Sequence, residues 1–157
     1  MGYALGVDVG TSFTAAAIWR WDEGKAEAVA LGSRMSSVPS VLFLGADGSV
    51  LVGEAAERRA LTDPDCVVRE FKRRIGDDTP LLVGGGPYAA QDLAAMMVRW
   101  VVDRVTEREG GAPDRIAITP FPPADGARPA AALGGAQLAI NRHTGEPELA
   151  RLARLLD

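Results

Sequence analysis

The stretch Gly6-Val7-Asp8-Val9-Gly10-Thr11-Ser12 sets one carboxylate at the end of an apolar run, then a glycine and two hydroxyl side chains. A residue without a Cβ lets the backbone come close to a ligand. Successive turn amides, with the Thr11 and Ser12 hydroxyls, can cradle phosphate oxygens, and Asp8 can hold Mg²⁺ through its water shell. That is the chemistry of a nucleotide site. The same string has a plainer reading, in which Asp8 and Ser12 end strands and satisfy turn amides. The heptapeptide alone does not decide between the two.

A second candidate is Lys72, within Phe71-Lys72-Arg73-Arg74-Ile75-Gly76. Basic runs on helices usually form solvated faces, and Arg69, Arg73 and Arg74 fit that description. Gly84-Gly85-Gly86 lacks the Lys-Ser/Thr of a P-loop and any neighbouring acid for a metal, so it reads as a turn. Gly134-Gly135 has no aspartate beside it. Cys66 follows an acid and precedes Val67 and Val68, which reads as a small core residue rather than a nucleophile. His143 lies among polar residues and receives no role.

These residues need elements to hold them. Ala4–Val9 and Phe13–Trp19 are apolar runs around a short glycine-containing turn, which predicts a β-hairpin although Ala15, Ala16 and Ala17 are weak strand formers. A turn at Asp22–Lys25 leads to a strand over Ala26–Leu31, and a further strand is expected over Pro39–Leu44. The Ala46-Asp47-Gly48-Ser49 turn then predicts a hairpin into Val50–Val52. Gly53-Glu54 opens a helix through Leu61, with acids early and arginines late, and Pro64 ends it. A second helical stretch is expected over Val67–Ile75, stopped by Gly76. The clearest helix runs over Ala89–Arg108, where Leu93, Met97, Trp100, Val101 and Val105 share one face. Gly110-Gly111 breaks it before a strand at Arg115–Thr119, a helix-to-strand return of the α/β kind.

From Pro120 the character changes. Pro120, Pro122, Pro123 and Pro129 lie among Ala, Gly and Asp, which predicts a linker, with a short helix at the end where Leu149, Leu152, Ala153 and Leu156 share a face.

Composition sets the bounds. With 157 residues, 47% hydrophobic and 24% charged, the chain suits one globular domain with its own core. A net charge of −4 gives no broad basic footprint for nucleic acid or anionic membrane. One cysteine and one histidine exclude an intrachain disulfide framework and a Cys/His zinc cluster within one chain. No run reaches membrane-spanning length and the N-terminus does not read as a secretory signal, so the expected compartment is the cytoplasm.

Val38-Pro39-Ser40, Val52-Gly53-Glu54-Ala55-Ala56 and Phe71–Gly76 follow the opening hairpin in order. Together the four strings resemble the seventy-kilodalton heat-shock chaperones of the DnaK type, within the actin-like ATPase superfamily. The resemblance implies an α/β fold: the ribonuclease H-like first lobe of an actin-like ATPase, a mixed β-sheet with packed helices, with Val41–Ile75 as a small subdomain over the cleft. It implies residues 1–119 as that lobe and 120–157 as a Pro/Ala/Gly-rich divergent tail. It also implies truncation before the second lobe, by early termination or a reading-frame shift. Asp8, Gly10, Thr11 and Ser12 match the family's magnesium and phosphate contacts, and Lys72 matches the lysine near the terminal phosphate and attacking water, for electrostatic stabilisation.

The implied cofactors are ATP and Mg²⁺. The implied partners are client proteins and co-chaperones, and the implied function is ATP-dependent chaperoning with weak or absent hydrolysis in this chain. Two other readings stay open. One is a non-catalytic interaction module built on the same lobe, and the other is part of a sugar kinase, which shares an Asp-Gly-Thr hairpin; Val52–Ala56 and Phe71–Gly76 argue against the latter.

Overall fold

A computed structural model of the chain describes residues 2–33 and 35–118. The candidates at Gly134-Gly135 and His143, the Pro120 segment and the Leu149–Leu156 stripe lie outside the described residues.

The opening hairpin forms as expected. Strand β1 (Tyr3–Val9) pairs antiparallel with β2 (Phe13–Arg20), with Val9 opposite Thr14 and Asp8 opposite Ala15. The alanine run holds as strand because pairing and burial override weak propensity: Ala16 and Ala17 are both buried. Strand β3 (Lys25–Ala28) extends the sheet beyond β2, shorter than the expected Ala26–Leu31 run. Val29 and Leu31 nevertheless turn into the core.

The expected strand over Pro39–Leu44 divides in two. Strand β4 (Ser37–Pro39) pairs with β2, whereas β5 (Val41–Leu44) joins a separate three-stranded sheet with β6 (Val50–Val52) and β7 (Val67–Arg69). Ser40 is the residue between them, at the seam of the two sheets. The Asp47-Gly48 turn between β5 and β6 is as expected, and helix α1 (Glu54–Arg59) follows.

The helix expected over Val67–Ile75 does not form. Val67–Arg69 pairs antiparallel with β5, Leu42 opposite Val68, and only Phe71–Arg74 coils, as a single 3₁₀ turn. β-branched Val67 and Val68 gain more from a sheet partner than from an isolated helix of two turns. Glu70, in a left-handed conformation (φ 54), then separates strand from turn. Two short strands were not anticipated, β8 (Leu81–Val83) and β9 (Gly86–Tyr88); Gly84 and Gly85 form the turn between them.

Helix α2 (Ala90–Glu109) lies within a residue or so of its expected limits and ends at Gly110 in a left-handed conformation. Leu93, Met97, Val101 and Val105 are completely buried, while Trp100 on the same face is half-buried. They join Tyr3, Leu5, Val7 and Val9 of β1, with Phe71, in the main core. Strand β10 (Arg115–Ile118) then returns parallel to β1, giving a mixed sheet ordered β10-β1-β2-β3 with β4 also on β2. Arg20 ties the end of α2 to the sheet through Glu109 at 2.7 Å.

Candidate functional site

The hairpin tip and Ser40 meet at the seam between the two sheets. Strand alternation sends Val7 and Val9 into the core under α2 and Asp8 to the other face. Val7 and Val9 are accordingly buried, and Asp8 is exposed at the end of a strand otherwise closed to solvent. An acid there belongs to the surface beside the turn, not to the core.

The turn itself is tight. The Gly10 amide donates to the Phe13 carbonyl at 2.9 Å. A Cβ on Gly10 would overlap that same carbonyl oxygen, so the turn excludes any side chain at this position. Thr11 is half-buried, and Ser12 and Phe13 are exposed.

Ser40 grips the turn from the seam. Its hydroxyl donates to the Gly10 carbonyl at 2.8 Å, and its amide donates to the Ser12 carbonyl at 2.8 Å. Its hydroxyl also meets the buried Thr14 hydroxyl at 2.9 Å. Sequence inspection marked Ser40 only as part of a motif. The signal for its role was the break between β4 and β5, which Pro39 helps to set because it cannot donate to a ladder.

Lys72 is connected to this region along the chain through the β5–β7 pairing. Val41, next to Ser40, is the ladder partner of Arg69. Lys72 is three residues further, a span of at most about 11 Å. The Phe71–Arg74 turn packs against α2, with Phe71 buried in the main core and Lys72 half-buried. The Lys72 turn is thus linked to the Ser40 seam through the β5–β7 pairing, whereas Asp8 leaves the sheet on the face away from α2.

Arg73 and Arg74 have local partners. Arg74 Nε donates to Asp77 Oδ2 at 2.7 Å, and Arg73 lies 3.8 Å from Glu70. The Thr79 backbone N–H and the Arg74 guanidinium hold the Asp77 carboxyl below its ordinary range. Cys66 is half-buried against the small cluster of Val41, Phe43 and Ala56. An open depression lined by Pro64, Asp65, Val67, Leu82, Gly84 and Gly85 lies apart from the seam and offers Asp65 as its one titratable group.

Comparison with known proteins places these features in a lineage. The Hsp70 protein family matches residues 4–82, a stretch that spans the hairpin, Ser40 and Lys72. A chaperone protein DnaK from Elusimicrobium minutum (strain Pei191) is 33% identical over an alignment covering 100% of this chain and 26% of that protein. The chain therefore spans about a quarter of the length of this curated relative.

Proposed function

Because this chain belongs to the Hsp70 family, we propose that it is an ATP-binding, chaperone-type protein whose phosphate site is the Gly10–Ser12 turn. Residues 1–119 form the first lobe of an actin-like ATPase domain, with residues 120–157 as a divergent tail. The small sheet of β5, β6 and β7, with α1, is the subdomain over the cleft. The family match favours this line over the sugar kinases.

The seam at Ser40 carries this reading, since it joins the hairpin tip to the strand that leads to Lys72. Gly10, Thr11 and Ser12 offer backbone amides and hydroxyls to phosphate oxygens. Asp8, exposed beside them, holds the magnesium ion through water. Among the described residues no group of three or more His, Cys, Asp or Glu side chains could cage a metal. That suits a cation that keeps most of its waters and takes its other ligands from phosphate. Bound Mg²⁺ neutralises charge on the phosphoryl oxygens, and the Lys72 amine adds to that stabilisation at the terminal phosphate.

One lobe supplies part of a two-lobe site. Losing about 4 kcal/mol of contacts weakens affinity about a thousandfold, so a lone first lobe holds nucleotide weakly. Client proteins and co-chaperones are the partners, and the cytoplasm the compartment, that the family suggests. No described helix is long and apolar enough to cross a membrane.

Calorimetric titration with Mg-ATP tests the proposal. The wild type binds, Asp8→Ala abolishes magnesium-dependent binding, and Lys72→Ala binds within a few-fold of wild type while losing any residual turnover. Absence of heat from the wild type at millimolar ATP removes the activity and leaves the family membership standing.

A further inference from the structure

We infer that Ser40, with the Thr14 hydroxyl behind it, is the positioning residue that sets the Gly10–Phe13 turn for anionic oxygens; this rests on the phosphate-site reading above.

A serine hydroxyl has one hydrogen to give, and Ser40 gives it to the Gly10 carbonyl, which can only accept. The 2.9 Å contact between Thr14 Oγ1 and Ser40 Oγ therefore runs from Thr14 to Ser40. The result is a directed relay, Thr14 to Ser40 to Gly10, and both hydroxyl residues are buried, at 0% and 2% exposure. Buried and satisfied, such a relay is stiff, because breaking any link leaves a polar group without water.

What the relay does to the turn follows from peptide geometry. In a trans peptide the C=O and the next residue's N–H point in opposite directions. The Gly10 carbonyl points at the Ser40 hydroxyl and the Ser12 carbonyl at the Ser40 amide. The Thr11 and Phe13 N–H groups, which share those two peptides, consequently point away from Ser40. One residue thus holds two carbonyls that would repel a phosphate and aims the N–H donors of the same two peptides away from itself, the Phe13 N–H to the Gly10 side of the hairpin mouth. Neighbouring amides at a turn form an anion-binding concavity, and here their peptides are fixed before any ligand arrives.

The test is a titration of the ¹⁵N-labelled full chain with Mg-ATP and with magnesium tripolyphosphate, following the Thr11 and Phe13 amide protons. Both move downfield in the wild type. Ser40→Ala lowers the affinity about tenfold or more and removes those two shifts, while amides distant from the seam keep their positions. Thr14→Val, which keeps the shape and removes only the donor into Ser40, loses roughly two- to threefold. Thr14→Ser, which returns the hydroxyl, recovers what Thr14→Val loses. Should Ser40→Ala fail to fold, the Thr14 pair carries the same readout.

A purely structural role for Ser40 would lower the melting temperature of Ser40→Ala but leave affinity and both shifts as in the wild type, and that outcome overturns the inference. So does calorimetric binding of Mg-ATP to the wild type with the Thr11 and Phe13 amides unmoved, which leaves the ATP reading intact. No heat and no shift with either ligand overturns the ATP reading itself, and the inference with it.

Discussion

At the hairpin tip, the Gly10 and Ser12 carbonyls are held by Ser40, a residue between two other strands and about thirty positions away in the chain. Across the seam, several backbone bonds of the segment carrying Lys72 are local. The Arg73 amide donates to Glu70, Ile75 to Lys72 and Asp77 to Arg74, and the Arg74 guanidinium clasps Asp77. Phe71 ties that segment to the core, and a left-handed Glu70 turns the chain into it. A turn gripped by remote strands is set once the sheets form, whereas a segment bonded to itself opens locally at lower free energy. The comparison describes a fixed cradle beside an adjustable arm.

The largest effect comes from cutting the arm's anchor. Phe71 is 1% exposed and fills the core under α2, so Phe71→Ala costs about 3–5 kcal/mol of stability by the usual range for buried aromatics. Denaturant unfolding measures that loss. Hydrogen exchange sharpens the contrast: at low denaturant the amides of Arg73 and Ile75 lose protection before those of Gly10 and Ser40. Simultaneous loss at both places would make them one cooperative unit and remove the distinction between cradle and arm.

A smaller effect separates strain from function. Glu70 is the one non-glycine with positive φ among the described residues, and its ion pair with Arg73, at 3.8 Å between well-exposed groups, contributes little. Glu70→Gly leaves stability unchanged or raises it by up to about 1 kcal/mol, since glycine adopts this conformation without strain. Mg-ATP affinity falls roughly two- to threefold in the same variant, because Lys72 is less well fixed before binding. Thermal unfolding and calorimetry on one preparation check both signs. Joint rise or joint fall would show that Glu70 shapes the fold without positioning the lysine.

Much of the framework was open to sequence reasoning because it rests on local signals. The glycine turn at Gly10, the Asp47-Gly48 hairpin and the 3.6-residue periodicity of Leu93, Met97, Val101 and Val105 each follow from chain geometry over a few residues. Val67–Arg69 misled because its strand partner, β5, lies more than twenty residues earlier, and basic residues after it imitate a helical face. The β8–β9 hairpin was missed because its strands have three residues each, too few for alternation to register. Asp8, Gly10, Thr11, Ser12 and Lys72 stood out by residue type. Ser40 did not, since a serine between two apolar runs gives no hint of which carbonyls it will meet.

The smallest effect concerns the clasp that closes the arm. Asp77 Oδ1 accepts from the Thr79 amide at 2.9 Å and Oδ2 from Arg74 at 2.7 Å, and these donors favour the ionised form. A carboxyl with a depressed folded-state pKa stabilises the fold above its unfolded value, near 3.9, and that contribution disappears as pH falls through the folded value. Asp77→Asn therefore melts slightly below wild type at neutral pH, and the gap narrows below about pH 4 as the wild-type carboxyl takes up its proton. Both partners are well exposed, so screening by salt reduces the difference further. Thermal melts at pH 7, 4 and 2.5 measure the gap. In the variant at pH 7 the backbone amides of Ile75 and of the substituted position exchange faster, while the Ser40 amide keeps its wild-type rate. An equal acceleration at Ser40 would mean that the clasp and the cradle share one set of constraints.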